Sequence, residues 1–375
     1  MIPSLLLPLS NHLASFRAFE SITLRAICAG ITAFLVCFVV GEGIIDRLRS
    51  LRFRERIASG SDWLAEKHKS SGKGGTPTMG GMIFVLAALI STVLFARLSQ
   101  PLVLIGLWTM TAMGVLGGYD DRIKLLGLPD PRNPGKKMRG MRLFPKLIVQ
   151  TAIAAVVVTW LWLEMKDVPG WATLRIAAIP GAAIPIGVGV VAVGVVTLVG
   201  ISNAVNLTDG LDGLAAGCGT IVVLVMAVVA YLVGRVDTAG YLGQVFIPGA
   251  GEMAVFLAAL AGAVGGFLWW NCHPAKVFMG NTGSLALGGA LAIAAIGVRQ
   301  EFLLFVAGFA FVWEAVSVIV QVLSFRYRGG KRVFLIAPYH HHLEKLGWPE
   351  SRVVMSFWIG SAFLGVVALG LTRAL

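Results

Sequence analysis

The chain has 375 residues, 57% of them hydrophobic and only 13% charged, too little charge to coat a soluble domain of this length. A large soluble α/β protein would also need its apolar runs to stay short, and here they do not. The net charge of +12 could suit nucleic acid, but most of the basic residues fall in loops on one side of the apolar runs, which argues against that partner.

Runs of about 17–25 apolar residues are long enough to span a bilayer. Ten are expected, near 23–45, 80–97, 101–119, 145–165, 183–201, 213–234, 253–270, 284–299, 302–324 and 353–373. The eighth is short and is expected to sit partly behind its neighbours. The first residues, MIPSLLLPLSNHLASF, lack a basic n-region and a long apolar core, so a cleaved signal peptide is not expected. Cys28, Cys37, Cys218 and Cys272 fall in or beside spans without CxxC spacing, which points to packing rather than disulfides or zinc. The expected fold class is all-α, a polytopic integral membrane protein of about ten transmembrane helices.

With the loops numbered alternately, one side carries 47–79, 120–146, 202–212, 271–283 and 326–352, and these hold 23 of the 31 Lys and Arg residues. The positive-inside rule puts that side in the cytoplasm and both termini on the periplasmic side. A basic cytoplasmic face also suits anionic headgroups and a phosphorylated substrate.

Five polar stretches fall on this side. Lys73-Gly74-Gly75-Thr76-Pro77-Thr78-Met79-Gly80-Gly81 opens the second span. Its glycines permit close backbone approach and its Thr and Lys groups can hold phosphate oxygens, although by itself it reads as a turn that starts a helix. Gly118-Tyr119-Asp120-Asp121-Arg122-Ile123-Lys124 closes the third span. Adjacent carboxylates at the hydrocarbon edge are expensive, and a pair beside cations suits Mg²⁺ shared with phosphate. The plainer alternative is a helix end that reaches water.

Asn203-Ala204-Val205-Asn206-Leu207-Thr208-Asp209-Gly210-Leu211-Asp212-Gly213 packs two Asn, a Thr and two Asp between apolar runs with no Lys or Arg. Its carboxylates must face water, a metal or a donor-rich ligand, and it lacks the full EF-hand pattern. Asn271 through Ser284 offers Asn271 and Asn281 for an amide-bearing base and Phe278 for ring stacking, with a connecting turn equally plausible. Ala337-Pro338-Tyr339-His340-His341-His342-Leu343-Glu344 carries consecutive histidines. Adjacent helical residues point in different directions and cannot all chelate one ion, so phosphate orientation or proton exchange fits better.

Together GTPTMGG, the Asp pair, NAVNLTDGLDG, VFMGxTGSLALGG, RQEFLL, APxHHH and GWPE resemble the phospho-N-acetylmuramoyl-pentapeptide-transferase family, within the polyprenyl-phosphate N-acetylhexosamine-1-phosphate transferases. The resemblance spans nearly the whole chain and implies one membrane-embedded transferase domain over 1–375. It implies transfer of phospho-MurNAc-pentapeptide from UDP-MurNAc-pentapeptide to undecaprenyl phosphate, giving lipid I and UMP, with Mg²⁺. The site would lie on the cytoplasmic face of the bacterial inner membrane. Its partners would be those two substrates and membrane lipid, with no nucleic acid and with a homodimer left open.

By resemblance, Asp120 and Asp121 match the catalytic, metal-binding pair, and Asp212 is taken as catalytic with His340, His341 and His342. Asn203, Asn206, Asp209 and Gly210 match the substrate-binding loop, Lys124 a phosphate-facing lysine, and Lys73, Thr78, Asn271 and Phe278 the nucleoside pocket. Two positions depart from the family pattern. Asn281 stands where the family usually has an Asp taken to bind Mg²⁺, and an amide oxygen brings no charge, so weaker metal affinity is expected. Leu128 stands where a lysine is expected, with Lys136, Lys137 or Arg139 as substitutes. A transporter is the competing class, and Glu314 in the ninth span is its main candidate residue. A catalytically impaired relative acting as a scaffold is the third reading.

Overall fold

The computed structural model describes residues 18–51, 75–127, 129–130, 138, 140–175 and 183–373. The helices are α1 (Ile22–Ser50), α2 (Gly81–Phe95), α3 (Pro101–Leu126), α4 (Leu143–Met165), α5 (Gly189–Thr208), α6 (Leu214–Val233), α7 (Val236–Tyr241), α8 (Ala250–Asn271), α9 (Gly280–Gly297), α10 (Glu301–Ala307), α11 (Phe309–Tyr327), α12 (Tyr339–Lys345) and α13 (Glu350–Leu371). Among the described residues nine are long and apolar enough to cross a membrane, and α2 is a shorter apolar helix. All ten expected spans therefore have a helix, and the protein is an all-α, multi-pass membrane protein.

Three details differ from the expectation. The third span continues through Leu126 rather than ending near 119, until Gly127 takes a left-handed conformation (φ 57°) that closes the helix. The fifth begins only at Gly189. Before it lies a small antiparallel hairpin, β1 (Thr173–Arg175) with β2 (Ala183–Pro185), in which Leu174 pairs with Ile184. The ninth is interrupted at Gly308, which separates α10 from α11.

The centre of the bundle is α9, packed chiefly against α3 and α5. Its sequence, GNTGSLALGGALAIAAIG, is almost entirely small or aliphatic, and 94% of it is buried. Small residues permit this: a Cβ on Gly117 of α3 would lie 2.0 Å from the Asn281 carbonyl oxygen, and one on Gly81 of α2 2.2 Å from the Gly283 Cα. Around this core the outer helices turn large apolar side chains outward, such as Val39, Val196, Phe363 and Val366, as contact with lipid tails requires.

The helices run alternately, so their ends form two opposed layers. One holds the start of α1 and α8 and the end of α2, joined through Arg25 and Glu252. The described chain also ends in that layer, where the Thr372 carbonyl accepts from Gln244 Nε2. The opposite layer gathers the end of α3, the start of α4, the end of α5 and the start of α9.

Candidate active site

Neighbouring residues on a helix point about 100° apart, so Asp120 and Asp121, both buried near the end of α3, meet different partners. Asp121 faces the first turn of α9. Its Oδ1 accepts from the Asn281 backbone N–H (3.1 Å), and its Oδ2 accepts from the Thr282 N–H and hydroxyl (2.9 Å each). Those N–H groups have no partner within their own helix, and a carboxylate is favoured there by the helix dipole.

Asp120 faces α4. Its Oδ2 accepts from Lys146 Nζ at 2.8 Å and from Asn281 Nδ2, while its Oδ1 accepts from the Met141 N–H. The Asn281 amide oxygen in turn accepts from Asn206 Nδ2 (2.6 Å), which also donates to Ser284 Oγ (2.7 Å). Lys124 Nζ stands 3.9 Å from Asp121 Oδ1, with 41% of its side chain exposed. Thr78 closes the group: a Cβ on Gly280 (φ +72°) would lie 2.8 Å from Asp121 Oδ2 and 2.9 Å from Thr78 Oγ1. Asn203 stands a turn back on α5, donating to Gln150 Oε1 (3.0 Å) and the Val199 carbonyl (2.8 Å).

A second group surrounds the α5–α6 turn. Asp212 Oδ2 lies 3.1 Å from His273 Nδ1 and accepts from the Ala275 N–H, while its own N–H donates to Glu350 Oε1 (2.9 Å). Asn271 ties the same turn to the following loop, accepting from the Gly213 N–H (3.2 Å) and donating to the Val277 carbonyl (3.0 Å). Phe278 is half-buried and exchanges backbone hydrogen bonds with Pro77 and Gly80, which sets it against the Thr-Pro-Thr stretch.

A third group is α12. His340 is fully buried, His341 Nδ1 lies 2.9 Å from Glu344 Oε2, and His342 Nδ1 accepts from the Leu335 N–H. Gly210 brings the α5–α6 turn against it, since a Cβ there would lie 2.2 Å from His340 Nε2.

The profile of Glycosyl transferase family 4 matches residues 103–299, more than half of the chain. Proteins named phospho-N-acetylmuramoyl-pentapeptide-transferase match nearly end to end. That of Desulfotalea psychrophila is 42% identical over 370 residues, 98% of both chains. Those of Gemmatimonas aurantiaca (42% over 384 residues, 98% of both) and Nitratidesulfovibrio vulgaris (41% over 374 residues, 100% of this chain and 99% of the relative) agree. The chain belongs to the phospho-N-acetylmuramoyl-pentapeptide-transferase family.

In this family member the structure brings Asp120, Asp121, Lys124, Asn206, Asn281 and Thr78 into one network. Asp212 and Asn271 belong to the second group, which also contains Phe278's loop, and His340 to His342 to the third, reached through Gly210. Asp209 ends α5 at the edge of the same turn. Lys73, Leu128, Lys136, Lys137 and Arg139 lie outside the described residues. Sequence reasoning passed over Lys146, His273 and Glu350. By sequence Lys146 reads as a topology charge; its signal is a lysine placed inside the first turn of an apolar helix.

Lys146→Met leaves Asp120 with neutral donors only. Transfer is expected to fall about tenfold or more, since the buried Asp120 carboxylate loses its only close cation among the described residues. Initial rates of the purified variant beside the parent check this, and an unchanged rate removes Lys146 from the site.

Proposed function

We propose that the protein transfers phospho-MurNAc-pentapeptide from UDP-MurNAc-pentapeptide to undecaprenyl phosphate, releasing UMP and forming lipid I, at the cytoplasmic face of the bacterial inner membrane. The observation that carries this is the buried Asp120–Asp121 pair, braced by Lys146, Asn281 and the start of α9 at one end of a membrane bundle. A soluble nucleotide-sugar and a membrane-held lipid phosphate can meet only at such an edge. The basic loops assigned to this side by the sequence suit two anionic substrates.

The donor set fits Mg²⁺. Each carboxylate of the pair has about four lone-pair positions and here receives three hydrogen bonds, which leaves room for one further contact each. Lys146 and Lys124 balance the two negative charges, so the pair alone offers no surplus positive charge to a diphosphate. Asp120 and Asp121 would hold the ion, and Asn281 would add only a neutral oxygen already occupied by Asn206. Mg²⁺ typically takes one or two carboxylates and completes its shell with phosphate oxygens and water, and when bound it neutralises charge on the diphosphate.

The reaction exchanges one phosphate ester of a diphosphate for another. An oxygen of the lipid phosphate attacks the phosphorus that bears MurNAc, the bond from that phosphorus to the bridging oxygen breaks, and UMP leaves with that oxygen. The proton remaining on the lipid phosphate passes to whichever aspartate of the pair keeps its remaining lone-pair position free of the ion. Direct attack is favoured over a covalent aspartyl intermediate, because a phosphate monoester is already an anionic nucleophile. Positioning and charge stabilisation supply most of the acceleration in such transfers. Rapid-quench trapping of a phospho-enzyme without lipid acceptor would overturn direct attack.

A labelled UDP-MurNAc-pentapeptide assay in detergent, with undecaprenyl phosphate and Mg²⁺, tests the assignment. Lipid I is the expected product. If neither the parent nor Asn281→Asp makes it while both are folded, the transferase reading fails and a scaffold remains. Asn281→Asp sets a carboxylate beside Asp120, and the added charge is expected to lower the half-saturating Mg²⁺ concentration about tenfold. A Mg²⁺ titration of initial rates reads this directly, and an unchanged midpoint removes residue 281 from the metal set.

A further inference from the structure

The sequence leaves Glu314 as a carboxylate in the middle of an apolar span, and neither the Asp120–Asp121 network nor the Asp212 group uses it. It is fully buried on α11, a helix otherwise apolar along most of its length. A charge in that setting is costly unless a partner faces it.

The partner is α12. Glu314 Oε1 accepts from the His340 backbone N–H at 3.1 Å, and Glu314 Oε2 stands 3.1 Å from His340 Nδ1. His340 is the second residue of α12, so its N–H is one of those the helix itself cannot satisfy. One carboxylate thus accepts from the backbone and lies against the ring of the same histidine. The opposite ring edge, Nε2, abuts Gly210 in the turn that runs on to Asp212. Neither ring nitrogen makes a well-aligned hydrogen bond to the protein, and both are shielded from solvent.

A carboxylate against Nδ1 favours the tautomer that carries its proton there, and leaves Nε2 as a lone-pair acceptor aimed at the α5–α6 turn. We propose that Glu314 is a positioning residue for the transfer reaction, fixing the place of α12 and the tautomer of His340 against the 209–213 turn. This rests on the transferase reading for its kinetic consequence, and on the structure alone for its effect on His340. It also accounts for the buried charge that would otherwise suggest a transporter.

Glu314→Gln keeps the size of the side chain and an acceptor for the His340 N–H, but removes the charge that faces Nδ1. In the full-length protein in detergent, kcat is expected to fall about tenfold or more while KM for UDP-MurNAc-pentapeptide changes little. Glu314→Asp, which restores the charge on a shorter stem, is expected to recover part of kcat. In ¹⁵N-histidine-labelled protein, the His340 ring signals, assigned by their loss in His340→Gln, are expected to move in Glu314→Gln. Unchanged His340 signals overturn the proposal whatever the activity. A loss of kcat accompanied by an equal loss of folded protein overturns it as well, since that marks a packing role. If neither the parent nor Asn281→Asp makes lipid I, the transferase reading has failed, and the ¹⁵N signals alone still decide whether Glu314 sets the state of His340.

Discussion

Asp121→Ala is expected to abolish lipid I formation, a fall of about 10³-fold or more, and to weaken the protein at the same time. The double effect follows from its partners. Removing the carboxylate strips the acceptor from two backbone N–H groups and one hydroxyl at the start of α9, all in a buried setting. Each buried donor left unpaired costs about 1–3 kcal/mol. Because α9 is the most enclosed helix of the bundle, its first turn cannot easily swing out to find water.

Asp120→Asn should behave differently. Its amide oxygen can still accept from Lys146 or Met141, so less stability should be lost than in Asp121→Ala, while the charge that the chemistry needs is gone. Parallel measurement of transfer rate and unfolding temperature separates the two. The assignment of Asp121 as both cap and site residue is wrong if Asp121→Ala unfolds at the parent's temperature, and the pair leaves the mechanism if both variants turn over normally.

Much of this was legible in the chain. Ten hydrophobic runs became helices because a bilayer leaves the backbone no other way to pair its polar groups over such lengths. The Asp pair and the two asparagines were visible because polar residues beside apolar runs are rare without a reason. Sequence could not tell which partner each carboxylate would choose. That depends on the azimuth of adjacent residues at the end of α3, and on α9 approaching closely enough for Gly117 to touch the Asn281 carbonyl.

The division of the polar stretches into three groups was likewise hidden, since His273 and Glu350 join Asp212 across widely separated parts of the chain. The break at Gly308 gave no signal either. A lone glycine in an apolar run is compatible with an unbroken helix, and only packing decides otherwise.

The far layer of the bundle carries the other large expected effect. Glu252→Ala is expected to destabilise the protein by about 3–5 kcal/mol, the usual consequence of removing one partner of a buried ion pair. Arg25, fully buried near the start of α1, grips Glu252 with both terminal nitrogens, at 2.6 and 2.5 Å, and also donates to the Phe95 carbonyl at the end of α2. Glu252 accepts the Arg97 N–H as well, at 2.9 Å. One contact thus pins α1, α2 and α8 together, far from the Asp120–Asp121 network.

Truncating Glu252 strands the Arg25 guanidinium in a place where water cannot reach it, and most of the loss comes from that stranded charge rather than from the missing attraction. The double replacement Arg25→Met with Glu252→Met should therefore recover much of the stability lost in Glu252→Ala. Unfolding of the three proteins in one detergent reads this directly. A double variant as unstable as the single one would mean that the ion pair itself, and not the avoidance of an unpaired charge, holds that end of the bundle together.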